Sequence, residues 1–281
     1  MNRNKNNNYS EKLISIIIPT YNSEKTIKRA LESICSQKVL NNFEIIVVDD
    51  NSTDNTIEII KEFKNNINHK LILIENKVNM GSGVARKIAL KKASGFFTAF
   101  LDSDDYWLED KLSCQLNFLQ KNIDIDFVYT DYLKEVKDLN NFYYFHMKMP
   151  NFVSQRDNKY INFIPNSSVL IKSNISKQIS YPSIRLRNDF LFWNRILLHD
   201  KKIKAFNINP GTPYFIYGSS QGISRKNLKL LFNQWRLYRK FFYYSIMQSL
   251  TGIILNMFYS IKKIISIKLF LYHKKKIENT N

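Results

Sequence analysis

The sequence predicts an α/β fold in which helices cover both faces of a mostly parallel central sheet. Three runs rich in β-branched and aromatic residues each end abruptly in a polar, turn-forming segment. Between these runs, apolar residues recur at helical spacing. Because strands that alternate with helices form parallel sheets with right-handed crossovers, we expect the polar segments to share one edge of the sheet.

The predicted elements extend along the chain as far as Tyr217. The first helix carries Ile27, Ala30, Leu31 and Ile34 on one face, and the second carries Ile57, Ile60 and Phe63. The predicted strands are Leu13–Ile18, Phe43–Val48, Leu71–Glu75, Phe97–Leu101, Phe127–Thr130, Ser168–Ile171, Ile203–Ile208 and Tyr214–Tyr217. The later helices are Gly83–Ala93, Asp110–Lys121 and Asn188–Asp200, and the aromatic-rich segment Asn140–Asn162 is predicted to be an irregular loop or flap.

A cluster of acids follows the strand at Phe97–Leu101. Asp102, Asp104 and Asp105 lie within four residues of one another, at the end of the sheet where open α/β folds bind ligands. Closely spaced carboxylates repel, so a positive partner is expected. Mg²⁺ bound to a phosphorylated substrate suits them, because this ion takes one or two carboxylates plus phosphate oxygens. An acidic cap of the following helix is the alternative.

The net charge of the 281-residue chain is +18, and it is unevenly placed. Residues 225–281 hold twelve lysines and arginines and one acid, Glu278, which gives +11 of that total. Such a segment favours an anionic partner: a membrane surface, a nucleic acid or an acidic polymer. A solvated, lysine-rich composition is the alternative, although it does not explain the concentration at the C-terminus.

The uncharged segment Phe241–Ile261 is bracketed by basic residues and is long enough to span a bilayer. Several polar residues dilute it, so we favour an interfacial amphipathic helix that lies on an anionic membrane. A helix packed on the main domain is the alternative. The apolar face of this predicted helix consists of Ile246, Leu250, Ile253, Met257, Ile261 and Ile264.

The few cysteines and the N-terminus suit a protein of the cytoplasm. Cys35 and Cys114 show neither disulfide nor metal-ligand spacing, and the four histidines are scattered. Residues 1–11 have no apolar core of the kind that signal peptides carry, and are expected to be a disordered tail.

Four segments in series resemble the family 2 glycosyltransferases, the inverting GT-A-fold enzymes that build bacterial surface polysaccharides. The segments are Ser15–Asn22, Ile46–Asp54, Asn79–Arg86 and Phe100–Asp105. The stretch Arg185–Phe190 and the helix with Trp193 look most like teichuronic-acid, capsule and lipopolysaccharide-type members. The resemblance implies a GT-A α/β/α domain over residues 12–226 and a basic amphipathic helical extension over residues 227–281.

The resemblance also implies a nucleotide-sugar site. Tyr21 would stack on the base with Pro19 and Thr20 beside it, and Asp50 would accept the N–H of uracil or thymine; a core tyrosine and a turn or cap residue are the structural alternatives. Arg86 would reach the diphosphate or lie on a solvated helix face.

Asp102-Ser103-Asp104 resembles the DXD motif of the family. By resemblance, Asp102 and Ser103 would hold the nucleotide sugar, and Asp104 with Asp102 would bind Mn²⁺ or Mg²⁺, which neutralises charge on the leaving diphosphate. Asp189 would be the general base that deprotonates the acceptor hydroxyl, with a helix N-cap as the alternative.

The chain departs from the family pattern in three places. Lys87 replaces the usual Asn, and Asn188 replaces the usual acid or Gln before the base. The segment after Tyr217 lacks the arginine and histidine that relatives close over the diphosphate, so either Arg225 or Lys226 would serve instead or activity would be weaker.

Taken with the charge distribution, the resemblance implies a metal-dependent inverting transferase. It would move a sugar from a UDP- or dTDP-sugar to a lipid-linked saccharide, as a cytoplasmic protein peripheral at the inner face of the cell membrane. The alternative is a catalytically weak or silent membrane-associated partner of another transferase. Nucleic acid is not expected as a partner, because carboxylates at the strand ends would repel its phosphates.

Overall fold

The computed structural model describes residues 9–39, 42–138, 141–218 and 227–278. Eight strands form the main sheet in the order β3-β2-β1-β4-β10-β6-β11-β9, and four form a second sheet in the order β5-β12-β7-β8. The strands are β1 Ile14–Thr20, β2 Phe43–Asp49, β3 Lys70–Glu75, β4 Phe97–Phe100, β5 Tyr106–Trp107, β6 Phe127–Tyr129, β7 Asp131–Asp138, β8 Asn141–Met147, β9 Phe152–Val153, β10 Leu170–Lys172, β11 Ala205–Asn207 and β12 Pro213–Tyr217.

The three later helices predicted at Gly83–Ala93, Asp110–Lys121 and Asn188–Asp200 are found within a few residues at each end, whereas the short helix at Ser173–Ser176 was not predicted. The face predicted for the first helix is confirmed, because Ile27, Ala30, Leu31 and Ile34 are all buried. The helices are α1 Ile27–Cys35, α2 Thr56–Asn65, α3 Ser82–Lys92, α4 Lys111–Lys121, α5 Ser173–Ser176, α6 Asn188–His199, α7 Asn227–Arg236 and α8 Ile246–Glu278, with a π-helical turn at Leu237–Phe241.

The parallel core of the main sheet confirms the predicted alternation. β1 pairs in parallel with β2 and β4, and β2 pairs in parallel with β3. Every residue of β1 and β2 is buried, which explains their nearly continuous apolar sequences. β10 is antiparallel to both of its neighbours and makes the sheet mixed. The carboxyl ends of β1, β2 and β4 therefore share one edge.

The prediction of an irregular loop or flap at Asn140–Asn162 is wrong for Asn141–Met147, which forms β8. β7 and β8 form a long antiparallel hairpin that pairs Tyr132 with Met147 at its open end. The aromatic residues of β8 are strand formers, and β8 lies at the outer edge of the second sheet, where only one neighbour constrains its pattern. The sequence between the two strands, Leu139-Asn140, also lacks the Asn-Gly or Asp-Gly pair that marks short hairpins.

The prediction of a disordered tail over residues 1–11 is wrong for its last three residues. Tyr9–Glu11 forms a 3₁₀ turn, and the Tyr9 ring is buried edge-on against the ring of Phe97, with 5.2 Å between their centroids. Packing against this aromatic pair provides the burial that orders the turn. Residues 1–8 lie outside the described part of the chain.

Helix α8 packs one side against the domain and exposes most of its apolar residues on the other. Ser249 is fully buried, and the Asn256 amide nitrogen donates to the Tyr160 carbonyl at 2.6 Å. Of the six residues predicted for the apolar face, five are exposed, and Ile253 instead packs against an inner cluster that includes Tyr238. The exposed apolar residues of this outward face are Ile246, Met247, Leu250, Ile254, Leu255, Met257, Phe258, Ile261, Ile264, Ile265, Leu269 and Tyr272.

Glu44 is a buried carboxylate on β2 that ties three segments together. It accepts hydrogen bonds from Lys70 Nζ, Ser15 Oγ and the backbone N–H of Ser94, at 2.9, 2.7 and 2.7 Å. Burial alone would raise the pKa of Glu44, but these donors outweigh it and lower that pKa to about 2. A carboxylate with a lowered pKa stabilises the fold above its unfolded-state pKa, and this contribution is lost as the pH falls towards 2.

We therefore expect Glu44→Gln to lower the free energy of unfolding by about 2 kcal/mol at neutral pH. Because glutamine does not titrate, the deficit should shrink steadily as the pH falls below 4.5, the ordinary pKa of the group. Urea unfolding at a series of pH values measures both effects. The exposed Glu62→Gln is the control, and a Glu44→Gln deficit that does not change with pH would contradict the assignment.

Candidate functional site

A cleft of about 1360 Å³ lies at the shared edge formed by the carboxyl ends of β1, β2 and β4. Three parts of the chain line it: the strand ends with α3, the segment before α6, and the C-terminal helices. Eight of the predicted site residues line the cleft: Pro19, Thr20, Tyr21, Asp50, Arg86, Asp102, Ser103 and Asp104. Asp189, the predicted base, is not among the lining residues.

The end of β1 presents an open aromatic surface to the cleft. The Tyr21 side chain is about half exposed, so one face is free to stack on a planar ligand. The next residue, Asn22, adopts a left-handed conformation with φ 47° and accepts a 2.8 Å hydrogen bond from the Thr53 N–H. This hydrogen bond links the loop after β1 to the loop after β2.

Asp50 organises the loop that forms one wall of the cleft. One carboxylate oxygen accepts from Asn76 Nδ2 and the Met80 N–H, each at 2.9 Å, and the other accepts from the Gly81 N–H. Gly81 has φ 92°, a conformation that favours glycine. Asp50 is only 2% exposed, yet a carboxylate has about four acceptor positions, so its contact with a base remains a prediction.

The three acids after β4 occupy different environments. Asp102 Oδ1 accepts hydrogen bonds from Arg86 and from Asn166, and Asp104 lines the cleft. Asp105 points away from the cleft, where Ser167 Oγ and the Gly218 N–H bind its two oxygens. Burial, followed by the charges of Asp104 and Asp102, raises the pKa of Asp105 well above its ordinary value.

Asp102 and Asp104 are suited to a divalent cation that also binds phosphate. No group of three or more histidine, cysteine or acidic side chains that could enclose an ion is found in the described residues. Mg²⁺ and Mn²⁺ accept carboxylate oxygens, and Mg²⁺ usually keeps several ligands from water and substrate phosphates. The donor set therefore fits a metal that arrives with, or is completed by, a diphosphate.

Arg86 connects the carboxylates to the start of α6. Arg86 is buried, with 5% of its surface exposed. Its guanidinium donates to Asp102 Oδ1 and to Asn188 Oδ1, both at 2.5 Å. Gly83, one helical turn before Arg86, lets α3 pack closely against the segment before α6. A Cβ at this position would lie 2.4 Å from the Pro182 carbonyl oxygen. The contact of Arg86 with a diphosphate remains a prediction.

Asp189 follows Asn188 in the first turn of α6 and is half-buried. The preceding Arg187 is left-handed, with φ 58°, and this conformation turns the chain sharply into the helix. Asn162 Nδ2 donates to Asp189 Oδ2 at 2.8 Å. Thus Arg86 and Asn188 link the carboxylates of the cleft to the helix that carries the predicted base.

The sequence did not reveal that the C-terminal helices complete the cleft. Asn233, Arg236, Leu237 and Phe241 line it opposite the strand ends, together with Arg185, whose guanidinium donates twice to Asn79 at 2.7 Å. Local sequence patterns do not predict contacts between segments so far apart in the chain. The predicted departure after Tyr217 falls mainly on residues 219–226, which lie outside the described residues.

Comparison with known proteins gives a consistent result. The family model described as glycosyl transferase family 2 matches residues 15–195. The chain is 36% identical over 223 residues to the UDP-Glc:alpha-D-GlcNAc-diphosphoundecaprenol beta-1,3-glucosyltransferase WfaP of Escherichia coli, covering 79% of this chain and 84% of the relative. An enzyme of the same description from Escherichia coli, WfgD, is 35% identical over 229 residues, with the same coverage of each chain.

Solved structures confirm the fold. The crystal structure of Staphylococcus aureus TarS 1-349 in complex with UDP superposes with a TM-score of 0.56 at 27% sequence identity. The match covers 73% of this chain and 60% of the TarS fragment, so this chain corresponds to only part of that protein. The GT-A-type α/β architecture with a C-terminal helical extension, which the resemblance implies, is thereby confirmed.

Proposed function

The chain belongs to glycosyl transferase family 2, and on this basis we propose that it is a metal-dependent inverting glycosyltransferase of bacterial surface polysaccharide synthesis. It would move a sugar from a UDP-sugar, or from a dTDP-sugar, to a lipid-linked saccharide. The observation that carries the proposal is the cleft at the shared strand edge. Tyr21, Asp102 and Asp104 line this cleft together, as a nucleotide and a metal-bound diphosphate require.

The described residues divide the work of the reaction. Mn²⁺ or Mg²⁺ held by Asp104 and Asp102 would neutralise charge on the departing nucleoside diphosphate. Tyr21 would stack on the base and Asp50 would fix its wall of the cleft. Arg86 would hold Asp102 in place, because its guanidinium bonds that carboxylate directly.

Asp189 would act as the general base. As the acceptor oxygen forms its bond to the anomeric carbon, the bond from that carbon to the diphosphate breaks, and the acceptor proton passes to Asp189. The nucleoside diphosphate leaves with the bonding electrons. Attack from the opposite face converts an α-linked donor into a β-linked product and needs no covalent intermediate.

The relatives suggest which substrates to test first. The names of WfaP and WfgD specify UDP-Glc as donor and alpha-D-GlcNAc-diphosphoundecaprenol as acceptor. The TarS fragment was crystallised in complex with UDP, which supports a uracil nucleotide for the site of this chain. UDP-glucose and a GlcNAc-diphospholipid are therefore the first pair for this protein.

The test is a transfer assay with the purified protein, Mn²⁺, a panel of UDP- and dTDP-sugars, and GlcNAc-diphosphoundecaprenol in detergent. Release of the nucleoside diphosphate together with a sugar-extended lipid would support the proposal. Calorimetry with the same nucleotides is done in parallel. Binding of a nucleotide sugar without turnover in any acceptor would support the silent-partner alternative, and no binding to any donor would refute the transferase function.

Helix α8 supports a peripheral position at the cytoplasmic face of the membrane. Within the described residues, Ile246–Lys274 is long and apolar enough to cross a bilayer, with 6% of its most apolar window buried. Its inner side nevertheless contacts the domain at Asn256, Tyr259 and Phe270. Because those contacts run along most of the helix, we infer that α8 lies on the membrane with its outward face in the lipid boundary.

We expect the combined replacement of Ile254, Phe258 and Ile265 by glutamine to lower vesicle binding at least about tenfold, because each buried apolar side chain contributes about 1.5–3 kcal/mol. Co-sedimentation with phosphatidylglycerol vesicles measures the bound fraction. Ile123→Gln with Leu198→Gln, exposed apolar residues on other elements, is the control. Equal binding of wild type and the triple variant would contradict a role for the outward face.

A further inference from the structure

The loop that carries Asn162 is held between the predicted base and the C-terminal helices. On one side, Asn162 Nδ2 donates to Asp189 Oδ2 at 2.8 Å. The other end of the same amide is also engaged, because Asn162 Oδ1 accepts from the Ile164 N–H at 3.3 Å. This second bond fixes which end of the amide faces the carboxylate.

The C-terminal helices hold the other side of this loop. The Tyr160 carbonyl accepts two hydrogen bonds, from the Tyr238 hydroxyl of the π-helical turn and from Asn256 Nδ2 of α8, both at 2.6 Å. Asn256 Nδ2 also donates to the Tyr238 oxygen at 2.8 Å, which closes a three-membered network. The neighbouring Lys159 carbonyl accepts from the Tyr244 hydroxyl at 3.2 Å.

Packing around this network leaves little space for movement. A Cβ on Gly252 of α8 would lie 2.5 Å from the Tyr238 ring and 2.9 Å from the Tyr160 ring. The two tyrosine rings meet edge to face, with 6.1 Å between their centroids. Further along, the Phe163 ring packs edge-on against Tyr259. The loop is therefore attached to α8 on both sides of Asn162.

We propose that Asn162 is the positioning residue of Asp189, and that the C-terminal helices keep Asn162 in place through Tyr160, Tyr238 and Asn256. The C-terminal extension then takes part in catalysis, in addition to its contact with the membrane. This inference rests on the proposed function, because it requires Asp189 to act as the base. It gives a role to Gly252 and Asn256, which lie on the inner side of α8 beside the half-buried Ile253 and Tyr259.

The first test compares Asn162→Ala and Asn256→Ala with wild type in UDP release assays. A short-chain, water-soluble GlcNAc-diphospholipid replaces the membrane acceptor, so that vesicle binding does not contribute. We expect kcat to fall about 10- to 100-fold in Asn162→Ala and less in Asn256→Ala, while the Kd for UDP measured by calorimetry stays unchanged. Ser260→Ala, an exposed residue of α8 outside the apolar outward face, is the control and should keep the wild-type kcat.

The outcomes separate this inference from the proposed function. A wild-type kcat in Asn162→Ala beside a large loss in Asp189→Asn would overturn the inference alone. A wild-type kcat in Asp189→Asn would overturn the assignment of the base, and the inference with it. A parallel loss of UDP binding in Asn162→Ala would show general damage to the site and would also overturn the positioning role.

A second measurement does not depend on turnover. Hydrogen exchange of the backbone amides in residues 158–164 reports how firmly the loop is held. We expect exchange at least about tenfold faster in Asn256→Ala than in wild type, with Ser260→Ala unchanged. Equal exchange in Asn256→Ala and wild type would overturn the role of the C-terminal helices.

Discussion

Asp104→Ala is expected to abolish metal-dependent nucleotide binding. Asp104 and Asp102 line the cleft together, so the loss of Asp104 removes one of the two carboxylates proposed to hold the metal. A metal that bridges protein and diphosphate contributes several kcal/mol, so we expect an affinity loss of at least about 100-fold. Calorimetry with UDP, with and without Mn²⁺, measures it.

Glu109→Ala is the control for this experiment, because Glu109 is an exposed acid near the same loop whose salt bridge to Lys38 lies at the surface. It should bind UDP as the wild type does. If Asp104→Ala retained full Mn²⁺-dependent binding, the metal site would have to lie elsewhere. If the wild type bound UDP equally well without metal, the metal requirement itself would be refuted.

Asp189→Asn is expected to lower kcat by about 10²- to 10⁴-fold, the range that general base catalysis supplies. The amide keeps the shape of the side chain but cannot take the acceptor proton. Because Asp189 does not line the donor cleft, the Kd for UDP should stay within a factor of about two of the wild-type value. Single-turnover transfer from UDP-glucose, with calorimetry in parallel, separates the two quantities.

Asp200→Asn provides a matched control on the same helix. Asp200 lies directly after the last residue of α6 and is exposed, where its carboxylate accepts a hydrogen bond from the Lys202 N–H. Asp200→Asn changes the charge as Asp189→Asn does, but Asp200 lies at the opposite end of α6 from Asp189. Comparable kcat values for Asp189→Asn and wild type would contradict the role of base.

The part of the site formed by the strand ends was predictable because it depends on local sequence patterns. Each of β1, β2 and β4 is a buried run that ends in polar residues, and parallel pairing brings those ends together. The polar segments need no long-range information beyond that pairing. For the same reason, the positions of Tyr21, Asp50 and Asp104 along one cleft follow from strand order alone.

The rest of the site was not predictable because it consists of contacts between distant segments. Arg86 meets Asn188, 102 residues away, and nothing in either local sequence indicates that pairing. The β7–β8 hairpin escapes prediction because an edge strand has only one neighbour to constrain its pattern. The outward direction of α8 was predicted from helical spacing, whereas the role of its polar face depends on which loop it meets.

The exposed apolar face of α8 has a practical consequence for protein production. An exposed apolar helix at the C-terminus invites truncation before Asn227 to improve solubility. Such a shortened chain would lose Leu237 and Phe241 from the cleft, and Asn256 from the loop that touches Asp189. Replacing outward residues such as Phe258 with polar ones would improve solubility and leave those contacts intact. Variants of the whole 281-residue chain with such replacements are therefore the better material for crystallisation and inhibitor screening.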